Sequence, residues 1–434
     1  MVRSFRVIFI SLIALCAAVC AHAAVEIRLW HGMSGAAGAE LDRVIARYNA
    51  SQKEYRVVSY FQGSYDEVMA DDIRLRKVTR RAPHIVQVQD AATADILRSG
   101  FSRPFWQLMQ ETRSKPDSDY LPAVAAHFSD AEGRLLALPF TAATPVLYYN
   151  RDAFRQATLD PAAAPQTWYE VPKTLAALVE SGQSCGLTTA WPSWVLVENM
   201  SAWHNQRFAT QGNGMAAAPA SDARLAFNTR LMVRWISMLA SWHKAGYFSY
   251  SGRRDEAEAR FASGECAMLT SSSAAYPELR KRAGFDFAVA QLPYYDDFDH
   301  APQNTLVGGS ALWALAGASP AQYKGVASFF AYLAKPQVQA EWHQRTGDLP
   351  LTTAAYELTR KQGFYGSHPG QEIGVRQLLA RPTEDSAGIR LGGLRTIRGI
   401  IDEELEAVWN EKKTPLDALN AAVRRGNDVL QGSR

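Results

Sequence analysis

Arg398 lies on a patterned segment near the C-terminus, with Arg395 one helical turn before it. A guanidinium suits the oxygens of a phosphate, because its planar fork donates two parallel hydrogen bonds. Most helical arginines are simply solvated, so Arg398 needs company to mean more. Thr270-Ser271-Ser272-Ser273 supplies some, since it follows the apolar strand residues Ala267-Met268-Leu269. Small hydroxyls and backbone N–H groups at a strand end, opening a helix, can cradle an anion. They can equally act as an N-cap, and the two roles are compatible. Trp168, Trp191, Trp194 and Trp203 fall in one stretch. An aromatic face against C–H groups, ringed by polar groups, is what a polyol wants. Any of the four could be core; Trp168 is the candidate for ligand contact, at the first turn of an expected helix.

Motifs of catalysis are absent. No GxSxG elbow, HExxH pair or GxxxxGK loop occurs, and Gly32, Gly35 and Gly38 match no phosphate-loop fingerprint. The nine histidines show no metal-ligand pattern, and His204 and His343 read as structural. No cofactor is expected.

The positioning elements alternate between strand and helix. Val25, Ile27 and Leu29 alternate with polar residues, and Leu41, Val44, Ile45 and Tyr48 then form one helical face. Strands near 55–60 and 85–88 flank a helix after Ser64. Short apolar strands recur around Cys185, at 267–269 and at 311–315, and 394–409 reads as a helix. The pattern is α/β. Residues 138–154, LPFTAATPVLYYNRDAF, form an extended run closed by a short helix. Thr167 and Glu170 predict a capping box for the next helix. Such a segment can carry the chain between lobes.

Arg3 and Arg6 precede an apolar stretch, residues 7–19, and Ala21-His22-Ala23 offers a cleavage site. A leader of residues 1–24, cleaved after Ala23 or Ala24, directs the chain to the periplasm and leaves roughly 410 residues, enough for two cores. A formal charge of +3 over 434 residues is no footprint for nucleic acid. In an oxidising compartment Cys185 and Cys266 could pair, which spacing alone does not decide.

Nearly the whole chain beyond the leader resembles the periplasmic sn-glycerol-3-phosphate-binding proteins of Ugp-type ABC importers, within extracellular solute-binding protein family 1. The stretches that carry the likeness are PFTAATPVLYYNRDAF, WVLVENMSAWHN, FSYSGRRDE, GECAM, APQN, AEWHQRTG and DEELEAVWNEKKTP, with IRLGG upstream of the last. The resemblance implies a two-lobed periplasmic-binding-protein fold, with an interlobe ligand cleft and hinge crossings. It places residues 25–138 and about 282–342 in an N-terminal lobe, and about 145–281 and 343–434 in a C-terminal one. Tyr65, Asp90, Ser272, Gly309 and Arg398 match ligand positions: a hydroxyl, an acceptor for glycerol hydroxyls, a phosphate-side serine, a backbone N–H and the phosphate's arginine. The implied partners are sn-glycerol 3-phosphate or a glycerophosphodiester, and transmembrane permease subunits with a separate ATPase subunit; a monomer is expected.

Two positions depart from that pattern. Ala142-Ala143 precede Thr144 where the family has serines, and TGDLP puts Asp348 where the family has a tyrosine. A carboxylate beside a phosphate dianion is repulsive. Asp348 therefore either faces a cation on the ligand, such as choline or ethanolamine, or turns away or pairs with Arg345. An oligosaccharide receptor of the same fold is the alternative, and a secreted hydrolase stands further off because Asp90 and Asp348 come from distant segments.

Overall fold

The computed structural model describes residues 24–63, 82–116, 119–216 and 222–432. The leader, Tyr65 and the helix expected after Ser64 lie outside them. Two sheets organise the rest. The first runs β2 (Tyr55–Phe61), β1 (Val25–His31), β3 (Ile85–Gln89), β11 (Gly308–Leu315), β4 (Ser102–Arg103), with β5 (Leu138–Ala143) also paired to β11. Its first three strands are parallel, and β11 runs against β3, β4 and β5. The carboxyl ends of β3 and β5 and the amino end of β11 thus share one rim, where open α/β sheets take ligands. The second sheet runs β10 (Phe287–Ala290), β6 (Pro145–Asn150), β9 (Cys266–Ser272), β7 (Cys185–Thr189), β8 (Phe248–Tyr250). Every residue of β5 and β6 is buried, as their continuous apolar run demands.

Each sheet has its own core. Leu29, Leu41, Val86, Phe140, Leu312, Phe329, Trp342 and Val375 pack in the first lobe, and Leu147, Leu187, Trp235, Phe248, Ile397 and Leu405 in the second. This partition moves the expected boundaries. Residues around 282–306 belong with the second lobe, because β10 pairs with β6 from Phe287↔Asn150 to Ala290↔Leu147. Most of residues 343–378 belong with the first, because Leu349, Leu351, Tyr356, Tyr365 and Leu378 fill its core. The helix placed at Thr167 starts four residues later, at Val171. Glu170 Oε2 accepts from Gln166 N and Thr167 N, so the carboxylate closes a turn ahead of the helix.

Among the described residues three segments cross between the cores, at 143–145, 305–307 and 378–389. They are tied together. Thr144 Oγ1 donates to Thr305 Oγ1 at 2.5 Å. Gln377 Nε2 donates to Pro145 O at 2.7 Å, while its own carbonyl accepts from Thr305 N. Buried polar groups at a crossing are satisfied by the other crossings, which fixes where the lobes join.

Cys185 and Cys266 sit opposite each other on β7 and β9, with Cα atoms 4.4 Å apart, and are joined in a disulfide across 81 residues of chain. Closing so long a loop restricts the unfolded ensemble. Replacing both cysteines by serine should lower the second lobe's unfolding free energy by about 2–4 kcal/mol, read by urea denaturation. The unchanged protein, freed of its leader, should show no reactive thiol to alkylation until it is reduced.

Candidate functional site

The site forms around Arg398. Its helix, Leu394–Trp409, buries Ile397, Ile400, Ile401 and Leu405 in the second core. That face turns Arg398 toward the first lobe, with its side chain 20% exposed. Arg398 Nε and Nη2 donate to the two oxygens of Glu198 at 2.6 and 2.7 Å. Nη2 also donates to Asp90 Oδ2 at 2.9 Å, across the gap between lobes. Nη1 makes no hydrogen bond among the described residues. Burial opposes the guanidinium's charge, but Glu198 and Asp90 outweigh it and hold Arg398 firmly protonated. Burial raises the pKa of Glu198, and Arg398 pulls it back down.

Asp90 opens a 3-10 turn, Asp90–Ala92, directly after β3. Glu198 arrives on an unusual element. Ser193–Asn199 is π-helical, a widened turn that occurs disproportionately at functional sites. Asn199 Nδ2 donates to Trp194 O at 3.0 Å, spanning the wide turn, and Asn199 Oδ1 accepts from Leu306 N at 2.8 Å. Ser193 N, at the segment's start, donates to Asp402 Oδ1 at 3.0 Å. Asp402 is one turn beyond Arg398 on the same helix, and burial pushes its carboxyl up to about 7. Helix and π-segment are therefore bolted at two points, Arg398 to Glu198 and Asp402 to Ser193.

The same segment lays Trp194 against β11. A Cβ on Gly308 would meet the indole at 2.7 Å, so this approach requires glycine. Gly309 follows with φ +134, and a Cβ there would sit 2.3 Å from Thr141 O. Gly309 pairs with Ala142, and Ser310 with Gln89, which sets the backbone of β11 beside Asp90. Ser272 closes the second sheet's rim opposite Pro145 and caps the turn that follows, its hydroxyl accepting from Ala274 N at 3.2 Å.

Asp348 enters from the first lobe. Leu349 N donates to Ala142 O at 2.6 Å, and a Cβ on Gly347 would meet Pro277 and Ala274 O of the second lobe. Residues 347–349 thus bridge the rim near Ser272. Asp348 Oδ2 accepts from Trp342 Nε1 at 2.8 Å, and burial pushes the carboxyl up to about 6. Arg345, offered as its partner, instead lies 3.9 Å from Glu40.

The structure therefore brings Asp90, Gly309, Ser272, Asp348 and Arg398 to one interlobe rim. Trp168 is not among them. It precedes its helix in an extended bridge, Thr167↔Tyr294, and turns inward onto Trp235 at 4.3 Å between ring centres, 4% exposed. Thr144 does not replace the missing serine hydroxyls, because its own hydroxyl is spent on Thr305 and Leu306 O. Glu198 went unsingled in the sequence, and Trp194 was named there only among four tryptophans, with Trp168 preferred. An acid inside the apolar run WVLVENM signals a buried charge in need of a partner, and Gly308-Gly309 opening a strand signals a close neighbour.

Residues 43–364 match the bacterial extracellular solute-binding protein family. The chain is 44% identical over 414 residues to the sn-glycerol-3-phosphate-binding periplasmic protein UgpB of Yersinia pestis, covering 95% of this chain and 93% of that one. UgpB of Escherichia coli is 43% identical over 414 residues, covering 95% and 94%. UgpB from Mycobacterium tuberculosis, solved in complex with glycerophosphocholine, shares the fold with a TM-score of 0.78 at 22% identity, covering 94% of this chain and 98% of that one. The cyclic alpha-maltosyl-1,6-maltose binding protein of Arthrobacter globiformis does so at 0.75 and 20%, covering 94% and 100%. On the family match and the near full-length identity, this chain belongs to the bacterial extracellular solute-binding proteins.

Proposed function

We propose that the protein is a periplasmic receptor that captures sn-glycerol 3-phosphate or a glycerophosphodiester between its lobes. The loaded monomer delivers this ligand to an ABC import permease whose ATPase is a separate subunit. The observation that carries the reading is Arg398: a guanidinium held charged at the interlobe rim with Nη1 unengaged. A phosphate oxygen is the natural acceptor for that donor. The amide at Gly309 and the capped turn after Ser272 offer further donors, and Asp90 an acceptor for glycerol hydroxyls. The identity to relatives named for sn-glycerol 3-phosphate supports the same ligand.

The oligosaccharide reading is the second one, since sugar receptors share this fold. Arg398 favours the anion. Hydrolysis is no part of the proposal, since Asp90 is bonded to Arg398 and Asp348 to Trp342 Nε1, on separate elements.

Calorimetric titration of the ligand-free protein tests this: sn-glycerol 3-phosphate or its diesters should bind, maltotriose should not, and the reverse would overturn the reading. Arg398→Lys keeps the charge but loses the fork, and should weaken phosphate binding by roughly ten- to a hundredfold, the worth of a charge-assisted hydrogen bond. Gly309→Ala, which cannot hold φ +134 without strain, should cost about 1–3 kcal/mol of first-lobe stability in denaturant melts and weaken ligand binding with it.

A further inference from the structure

Away from the rim, the strap Gly388–Gly393 makes a separate contact between the lobes. Its backbone belongs to the second lobe. Ile389 and Leu391 are buried in that core, and Arg390 N donates to Asn213 O at 2.9 Å. A Cβ on Gly214 would meet Arg390 O at 2.4 Å, so the backbones lie close. The strap's outer side meets the first lobe. Arg390 Nη2 donates to His127 O at 3.0 Å and to Ser129 O at 2.6 Å. These carbonyls close the helix Pro122–Phe128, whose Val124 and Phe128 sit in the first core. A Cβ on Gly388 would lie 2.7 Å from His127 Nδ1, and one on Gly392 would lie 2.2 Å from the Arg98 guanidinium. Gly393 N donates to Asp95 Oδ1 at 3.2 Å. Asp95 and Arg98 belong to the helix Thr93–Arg98, so the strap lies across two first-lobe helices.

The central bond is one that neither lobe can complete alone. Carbonyls at a helix C-terminus have no intrahelical donor and favour a cation. Arg390 is 8% exposed and makes no ion pair among the described residues. Burial pulls its guanidinium down to about 10, with Asp130 opposing the shift, so it stays protonated at neutral pH. A buried charge without a carboxylate partner depends on its hydrogen bonds, and here both acceptors sit on the other lobe. With the lobes apart, water serves the guanidinium and the carbonyls alike. With the lobes together, each stands in for the other's water. The bonds that tie the crossings end at Gln377, well before the strap, and none of Asp90, Ser272, Gly309, Asp348 and Arg398 bonds to Arg390.

We propose that Arg390 is a closure clasp: it joins the second-lobe strap to the end of the first-lobe helix Pro122–Phe128 when the lobes come together, and so sets ligand affinity without touching ligand. A receptor that closes on its ligand binds with an apparent affinity scaled by the share of closed form. Arg390 is thus a positioning residue whose effect is the same for every ligand. The inference rests on the receptor reading above and goes beyond it to residues outside the ligand site.

The test compares Arg390→Met, which keeps the stem and loses the donors, with Arg390→Lys, which keeps a charged donor. Calorimetry with sn-glycerol 3-phosphate and with glycerophosphocholine should show the same loss for both ligands in Arg390→Met, about tenfold. Arg390→Lys should recover most of it. The ligand-free Arg390→Met protein should keep the wild-type urea midpoint, because open lobes do not use the clasp. Unchanged affinity in Arg390→Met, or a loss for one ligand alone, would overturn the clasp. So would a drop in the ligand-free midpoint alongside the lost affinity, which would make Arg390 a permanent brace. These outcomes leave the receptor reading standing. A wild type that binds neither ligand would overturn that reading, and this inference with it.

Discussion

Burying a guanidinium between two lobes is the constraint around which this structure is arranged. A charge taken out of water is stable only with close counter-charges and satisfied hydrogen bonds. Arg398 obtains both from elements far apart in sequence: Asp90 at the end of a first-lobe strand, and Glu198 on a π-helical turn of the second lobe. Glu198 would be costly in its place without Arg398, since burial raises its pKa even beside the guanidinium. The π-turn, the Asp402 clamp on Ser193 and Gly308 under Trp194 all place Glu198 where Arg398 can use it.

The same contact joins ligand to closure. Arg398 belongs to the second core and Asp90 to the edge of the first, so their hydrogen bond spans the lobes. A ligand that engages Arg398 through Nη1 and Asp90 through its hydroxyls touches both lobes at once. Its binding free energy then favours the arrangement in which the two are near. The crossings confine the motion, because Thr144, Thr305 and Gln377 are bonded to one another and resist sliding. Hinge closure is the movement such a frame permits.

Elements with a local period were legible in the sequence. The alternation of Val25, Ile27 and Leu29 marked β1, and the apolar face of residues 394–409 marked the helix that carries Arg398. Glycines and charges whose meaning lies in a distant partner were not. Gly308 and Gly309 look like a turn before a strand, yet they are its first two residues, kept bare by Trp194 and Thr141. Trp168 looked available to ligand because an early helix start was expected; the actual start at Val171 leaves it in an inward-facing bridge. Lobe boundaries were misplaced because they depend on strand pairing and long-range packing, which no local pattern encodes. Glu198 was overlooked because its role exists only through a guanidinium on another element.

Arg398, held by Glu198 and Asp90, is proposed to receive the ligand's phosphate between the lobes. A crystal structure of the protein grown with glycerophosphocholine or sn-glycerol 3-phosphate tests it most directly. A phosphate oxygen should then lie within hydrogen-bond distance of Arg398 Nη1, with a glycerol hydroxyl on Asp90. Ligand bound elsewhere, or bound with its phosphate turned away from Arg398, would contradict it.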